Sequence, residues 1–310
     1  MIVLEGLWKQ YPRGGWKCGL TGGVGTPEAG LNLSVHAGEI FGLIGPDGAG
    51  KTTLIRVLAT LLCPSGGRAT VGGLDLERDY ARIRSRIGYV PQVFSLYHDL
   101  TVAENIRFYS TIFGSDMQDS YSLIEDIYAP LAPFARRKAG ALSGGMKQKL
   151  MLCCALIHRP RVLFLDEPTT GVDPVSRTDL WATLRRLKGE GITVLVSTAY
   201  MNEASQCDRI ALMREGRCIL TDTPEGVLAR HTAQLCRVRG DRMHGMLKVL
   251  QGLPTVVRAV PFGESHHVTL AALASPESVR EALTAQGFHD ATVEPIAPGV
   301  EDCFIALSEA

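Results

Sequence analysis

Gly45-Pro46-Asp47-Gly48-Ala49-Gly50-Lys51-Thr52 stands directly after the apolar run Glu39–Gly45 and directly before a helical pattern over Lys51–Leu62. The spacing G-x-x-x-x-G-K-T, entered from a buried strand and left through a helix, narrows the folding options more than any other feature of the chain. Glycines at these positions let successive backbone N–H groups turn inward on a polyphosphate, and the helix N-terminus adds positive field there. Lys51 is expected to reach the outer phosphates and the Thr52 hydroxyl to bind Mg²⁺.

The surrounding pattern agrees with an α/β sheet. Glu39–Gly45, Arg161–Asp166 and Thr193–Thr198 are nearly continuous apolar runs, as parallel strands buried on both faces require. Lys51–Leu62, Ser143–His158 and Val175–Gly189 read as crossover helices. Residues 12–30 are rich in Gly and Pro and predict a turn or hairpin. Residues 93–140 are more helical and interrupt the alternation, as an inserted subdomain does. From about residue 235 the order becomes β-α-β-β-α-β with a last helix from about Gly299, which fits a small ferredoxin-like α+β module.

Two carboxylates close the apolar run Arg161-Val-Leu-Phe-Leu-Asp166-Glu167. Beside a phosphate loop, the first is expected to hold the Mg²⁺ shell and the second to orient or deprotonate water. Ser143-Gly144-Gly145-Met146 opens a helix whose Met146, Leu150, Cys153, Cys154 and Ile157 predict one apolar face. Ser143 suits an N-cap, but two glycines after a cap weaken a helix, which points to a backbone lying against a phosphate.

Composition removes other classes. The 310 residues carry 32 Lys+Arg and 32 Asp+Glu, a balance that argues against binding nucleic acid through a broadly basic surface. No apolar run approaches the roughly 18 to 20 residues that cross a bilayer, and the N-terminus lacks the regions of a secretory signal. A cytoplasmic chain is therefore expected. The eight cysteines are scattered without a C-x-x-C pair, and adjacent His266 and His267 would point to opposite faces of a strand, so metal binding by these groups is not expected.

The phosphate loop, Gln92 in Tyr89-Val-Pro-Gln92, Leu142-Ser-Gly-Gly-Met146, Leu165-Asp-Glu-Pro168, Gly171-Val-Asp173 and Ser197-Thr-Ala-Tyr200 stand in the order found in ABC ATPases. The chain resembles the ATP-binding subunit of an ABC-2 type, multidrug-exporter-like transporter over about residues 3–235, and Val300-Glu-Asp-Cys-Phe-Ile-Ala-Leu resembles the C-terminal module of such subunits. The implied architecture is a P-loop NTPase with a helical subdomain over about 93–158 and an accessory module over 236–310.

The resemblance implies a head-to-tail dimer sandwiching two ATP molecules. One subunit would supply Gly45, Pro46, Asp47, Gly48, Ala49, Gly50, Lys51, Thr52 and Thr53 to the nucleotide, and the other Ser143, Gly144 and Gly145. Thr52, Gln92 and Asp166 would surround Mg²⁺, with Glu167 and Gln92 in the catalytic role. Tyr11 would stack on adenine, with Trp8 and Trp16 as rivals, and Asp173 would lie in the loop crossing the dimer interface. The implied partners are a separate ABC-2 membrane permease and a second ATPase domain, placing the chain on the inner face of the cell membrane without direct nucleic-acid binding. The alternative is a regulatory or ribosome-associated ATPase acting on a soluble assembly.

Three residues depart from the family pattern. Met146 replaces a Gln of the signature, Asp47 stands where Asn is common, and Ala199 occupies the place of a His that contacts the γ-phosphate. Alanine donates no hydrogen bond, which predicts slow hydrolysis at this chain's own site.

Overall fold

The computed structural model describes residues 1–11 and 23–308. Of the Gly/Pro-rich stretch, residues 12–22, with Trp16 and Cys18, lie outside the described residues. The chain divides into two compact units, Met1–Pro224 and Glu225–Ala310. Among the described residues no helix is long and apolar enough to cross a membrane.

The first unit opens with β1 (Ile2–Trp8) and β2 (Leu31–Val35), followed by β3 (Ile40–Ile44), which runs into the phosphate loop and α1 (Lys51–Leu58). β4 (Gly66–Val71), β5 (Leu74–Asp75), α2 (Tyr80–Arg84) and β6 (Ile87–Val90) lead to the helical insert, α3 (Val102–Phe113), α4 (Met117–Tyr128) and α5 (Gly144–Leu156). The chain returns through β7 (Val162–Asp166), α6 (Pro174–Gly189), β8 (Thr193–Thr198), β9 (Arg209–Arg214) and β10 (Arg217–Asp222).

Six strands form the central sheet in the order β10-β9-β3-β8-β7-β6, parallel except for β10. Every residue of β3, β7 and β8 is buried, in keeping with their nearly continuous apolar runs. β2-β1-β4-β5 form a second, antiparallel sheet. Phe41, Phe164, Leu54, Ile55 and Leu58 belong to the core shared by these layers, each contributing about 1.5–3 kcal/mol by leaving water.

Two details differ from the sequence expectations. α1 stops at Leu58 rather than Leu62: Thr60 takes the left-handed conformation (φ 59°), and Arg84 clamps it, Nη2 donating to its carbonyl (2.7 Å) and Nε to its hydroxyl (2.8 Å). α5 is not one-sided. Residues 150–157 are buried throughout, because the helix packs against α3, α4 and β6 together, while Met146 is half-exposed.

The helical insert is fastened locally. Thr101 and Glu104 form a reciprocal capping box at the start of α3. Buried Asn105 donates to the carbonyls of Tyr97, Leu100 and Thr101 and accepts from the Tyr97 N–H, which holds the segment that follows Gln92.

α7 (Pro224–Ala229) lies at the division between the units. The second unit comprises β11 (Leu235–Arg239), α8 (Met243–Gly252), β12 (Val256–Phe262), β13 (Ser265–Leu270), α9 (Pro276–Ala285), β14 (Thr292–Ile296) and α10 (Val300–Ser308). Its antiparallel sheet has the order β12-β13-β11-β14, compatible with a ferredoxin-like arrangement. Cys236, Val238, Met246, Leu250, Val268 and Leu283 build its own core. His266 and His267 bond apart: His266 Nε2 meets the Met243 carbonyl (2.8 Å), and His267 Nδ1 meets Asp302 Oδ1 (2.7 Å).

Candidate functional site

The site lies at the C-terminal ends of β3, β7 and β8, where parallel sheets place their loops. β3 delivers the chain into the loop at Gly45. Gly50, the residue before α1, has φ 95°, a conformation that side chains resist, so the turn that aims the helix N-terminus inward needs glycine there. Lys51 Nζ donates to the carbonyls of Gly45 (2.7 Å) and Pro46 (3.0 Å) and lies 3.2 Å from Glu167 Oε1. Its charge is thus held over the loop by oxygen atoms. Tyr11 reaches the same helix, its hydroxyl 3.2 Å from Thr53 Oγ1. Trp8 instead packs against Gly66 of β4.

Asp166 ends β7 in register with Ser197 of β8. Its Oδ1 accepts from Ser197 Oγ and Thr52 Oγ1, both at 2.9 Å. Its Oδ2 is buried and has no hydrogen-bond partner among the described residues. Burial pushes the Asp166 carboxyl above the usual carboxylate range, with the two hydroxyls opposing the shift. An orphaned carboxylate oxygen beside a threonine hydroxyl is the donor set a hard divalent cation takes, so these residues fit Mg²⁺.

Glu167 follows with φ 48°, a strained conformation for a residue with a side chain. The surroundings hold it: its N–H donates to Ser197 Oγ (2.9 Å), and its Oε2 accepts from Gln92 Nε2 (2.9 Å) and Thr170 Oγ1 (3.2 Å). Phosphate loop, both carboxylates and Gln92 therefore converge. Ser197 and Thr170 were not singled out from the sequence. Its place near the end of a largely apolar strand, opening the Ser197-Thr-Ala-Tyr200 segment, is the local signal for Ser197.

The glycine-rich helix start lies elsewhere on this unit. Ser143 caps α5 by accepting from the Met146 N–H, at a long 3.4 Å, and both Ser143 and Gly144 are exposed. Gly145 faces α6: a Cβ there would stand 2.9 Å from Ser176 Oγ. A side chain at 145 would have to displace the Ser176 hydroxyl, whereas the outer face of Gly144 is open. Asp173 caps α6, its Oδ1 accepting from the N–H groups of Val175 (3.1 Å) and Ser176 (3.0 Å), and those donors lower its carboxyl.

The sequence profile described as "ABC transporter" matches residues 29–170. A Nod factor export ATP-binding protein I from Rhizobium sp. (strain N33) is 35% identical over 283 residues, covering 90% of this chain and 91% of the relative. The chain belongs to the ATP-binding proteins of ABC transporters. A probable multidrug ABC transporter ATP-binding protein of Escherichia coli (strain K12) is 40% identical over 99% of this chain, and the chain spans about half (52%) of that relative's length. Among solved structures, an ATP-binding cassette captured as a dimer in a post-hydrolysis state with ADP and phosphate superposes with a TM-score of 0.61 at 25% identity, covering 72% of this chain and 98% of that one.

β8 runs out into Ala199 and Tyr200. Ala199 is half-buried and offers only a methyl group. The adjacent Tyr200 lies with its ring 4.5 Å from the Arg177 guanidinium on α6. That contact draws its aromatic face to α6.

Proposed function

We propose that this protein is the ATP-hydrolysing, energy-coupling subunit of an ABC-2 type exporter, acting as a head-to-tail dimer on a separate membrane permease. The observation that carries the reading is the arrangement around Glu167: a carboxylate held by Gln92 and Thr170, on a residue whose N–H is anchored by the Ser197 hydroxyl, beside Lys51 and one residue from the Mg²⁺-compatible Asp166. ATP phosphates would take Lys51 from the Gly45 and Pro46 carbonyls, with the loop N–H groups and Thr53 completing the cradle and Tyr11 against the base. Thr52, Asp166 and the amide oxygen of Gln92 would hold Mg²⁺, which supplies charge neutralisation on the phosphates. Glu167 would accept a proton from the attacking water, and that water's oxygen would bond to the γ-phosphorus as the bond to the ADP oxygen breaks. Ser143, Gly144 and Gly145 of a second subunit would close on the same nucleotide.

Coupling to a permease is supported by an apolar groove of about 370 Å³ beside Gln92, lined by Tyr89, Leu96, Tyr109, Ile112, Phe113 and Met151. Gln92 thus links Glu167 to the edge of a surface suited to an apolar helix of a membrane partner. The relatives named for Nod factor export and for multidrug transport favour outward movement of a drug-like solute, and the proposed solute is hydrophobic.

The test is a pull-down of the Glu167→Gln protein with ATP from solubilised membranes. Recovery of a polytopic ABC-2 permease is expected. Recovery of no polytopic membrane protein would overturn the exporter assignment.

A further inference from the structure

We propose that Thr169, Glu203 and Arg177 form a positioning bracket that holds the Glu167 turn, an inference that rests on Glu167 acting as the base for water. Glu203, from the segment after β8, is a carboxylate only 4% exposed. Its Oε2 accepts from the fully buried Thr169 hydroxyl (3.0 Å), and its Oε1 faces Arg177 Nε of α6 at 3.6 Å, an ion pair beyond hydrogen-bond length. One carboxylate thereby ties together the exit of β7, the exit of β8 and the first turn of α6.

Thr169 belongs to the turn that shapes Glu167. The Thr170 N–H donates to the Glu167 carbonyl (3.2 Å), the Val172 N–H to the Thr169 carbonyl (3.2 Å), and the Thr170 hydroxyl to Glu167 Oε2. A strained φ at Glu167 persists only where its surroundings over-determine it. Ser197 anchors the turn at the Glu167 N–H, and Thr169 anchors it from the far side through Glu203.

Docking the 201–208 segment does not account for this carboxylate. Arg185 Nη1 already binds Gln206 Oε1 and Lys188 Nζ binds Asp208 Oδ1, both at 2.6 Å, so α6 holds the segment without Glu203. A buried carboxylate carries a desolvation cost that an apolar residue would not. Its distinct consequence is the hydroxyl contact to Thr169, two residues from Glu167.

The test compares Thr169→Val, which keeps the shape and removes the hydroxyl, with Thr169→Ser, which keeps the hydroxyl, in the full chain. ATP hydrolysis, the KM for ATP and the melting temperature are measured, with Glu167→Gln as control. Thr169→Val is expected to lower kcat about tenfold, as a displaced catalytic group does, with KM within about twofold, the melting temperature lowered by only a few degrees because the Glu203 oxygen loses its partner, and both kcat and melting temperature recovered in Thr169→Ser. A wild-type kcat in Thr169→Val, or a joint loss of kcat, ATP binding and melting temperature that Thr169→Ser does not recover, overturns the bracket while leaving the assignment of Glu167 intact. Hydrolysis unaffected by Glu167→Gln overturns that assignment and the bracket with it.

Discussion

Lys51 and Glu167 face each other across 3.2 Å with side chains only 3% and 8% exposed, so each neutralises the other inside the site. Removing the Glu167 charge frees Lys51 for phosphate and removes the proposed proton acceptor at once. Glu167→Gln is therefore expected to bind ATP at least as tightly as the wild type and to hydrolyse it about 10²–10³-fold more slowly. Equilibrium binding and single-turnover hydrolysis on the same preparation check both halves.

Asp166 gives a pH dependence with a definite sign. Burial raises its carboxyl above the ordinary value, so between that value and the raised one the folded state holds more protons than the unfolded state. Its contribution to stability then falls as pH rises through that window. Asp166→Asn is expected to melt higher than the wild type at pH 7 without nucleotide, with the difference vanishing below about pH 4. The same variant is expected to lose the Mg²⁺-dependent part of stabilisation by ATP, measured by thermal melts with and without the ion.

Ala199 itself offers no side-chain donor after β8, and the Tyr200 ring is engaged by Arg177. One lost transition-state donor costs about 10²–10³-fold in rate. Ala199→His is expected to raise kcat by about tenfold or more with little change in KM. An unchanged rate, or brisk cooperative turnover by the wild-type homodimer, would sink the idea that this site is slow.

In the second unit, the bond between His267 and Asp302 ties α10 to β13, and the His267 ring stacks on Phe262 at 3.9 Å. Asp302→Ala leaves His267 Nδ1 buried without this partner, at a cost of about 1–3 kcal/mol. Faster hydrogen exchange across residues 300–308 is the expected readout.

Local signals sufficed where one short segment carries both pattern and chemistry. Glycine at a positive φ before α1, a lysine and threonine opening that helix, and an apolar strand ending in two carboxylates are all readable within a few residues. The nearly continuous apolar runs of β3, β7 and β8 likewise state their burial on both faces. The one-sided face expected of α5 differs from its burial because a sequence shows which residues are apolar, whereas burial of residues 150–157 depends on three neighbouring elements.

Convergence belongs to the tertiary structure. Thr52 and Asp166 are 114 residues apart, Gln92 and Glu167 are 75 apart, and Asp166 and Ser197 are 31 apart, yet each pair meets at 2.9 Å. The register of β7 against β8 sets Ser197 opposite Asp166, and the resulting hydroxyl contacts hold Glu167 in a conformation its own residue type disfavours. The chain's local chemistry specified a phosphate loop and a carboxylate pair. Only the packing of distant strands decided which oxygen of Asp166 stays without a hydrogen-bond partner among the described residues and which groups hold Glu167 in place, because hydrogen bonds form between neighbours in space.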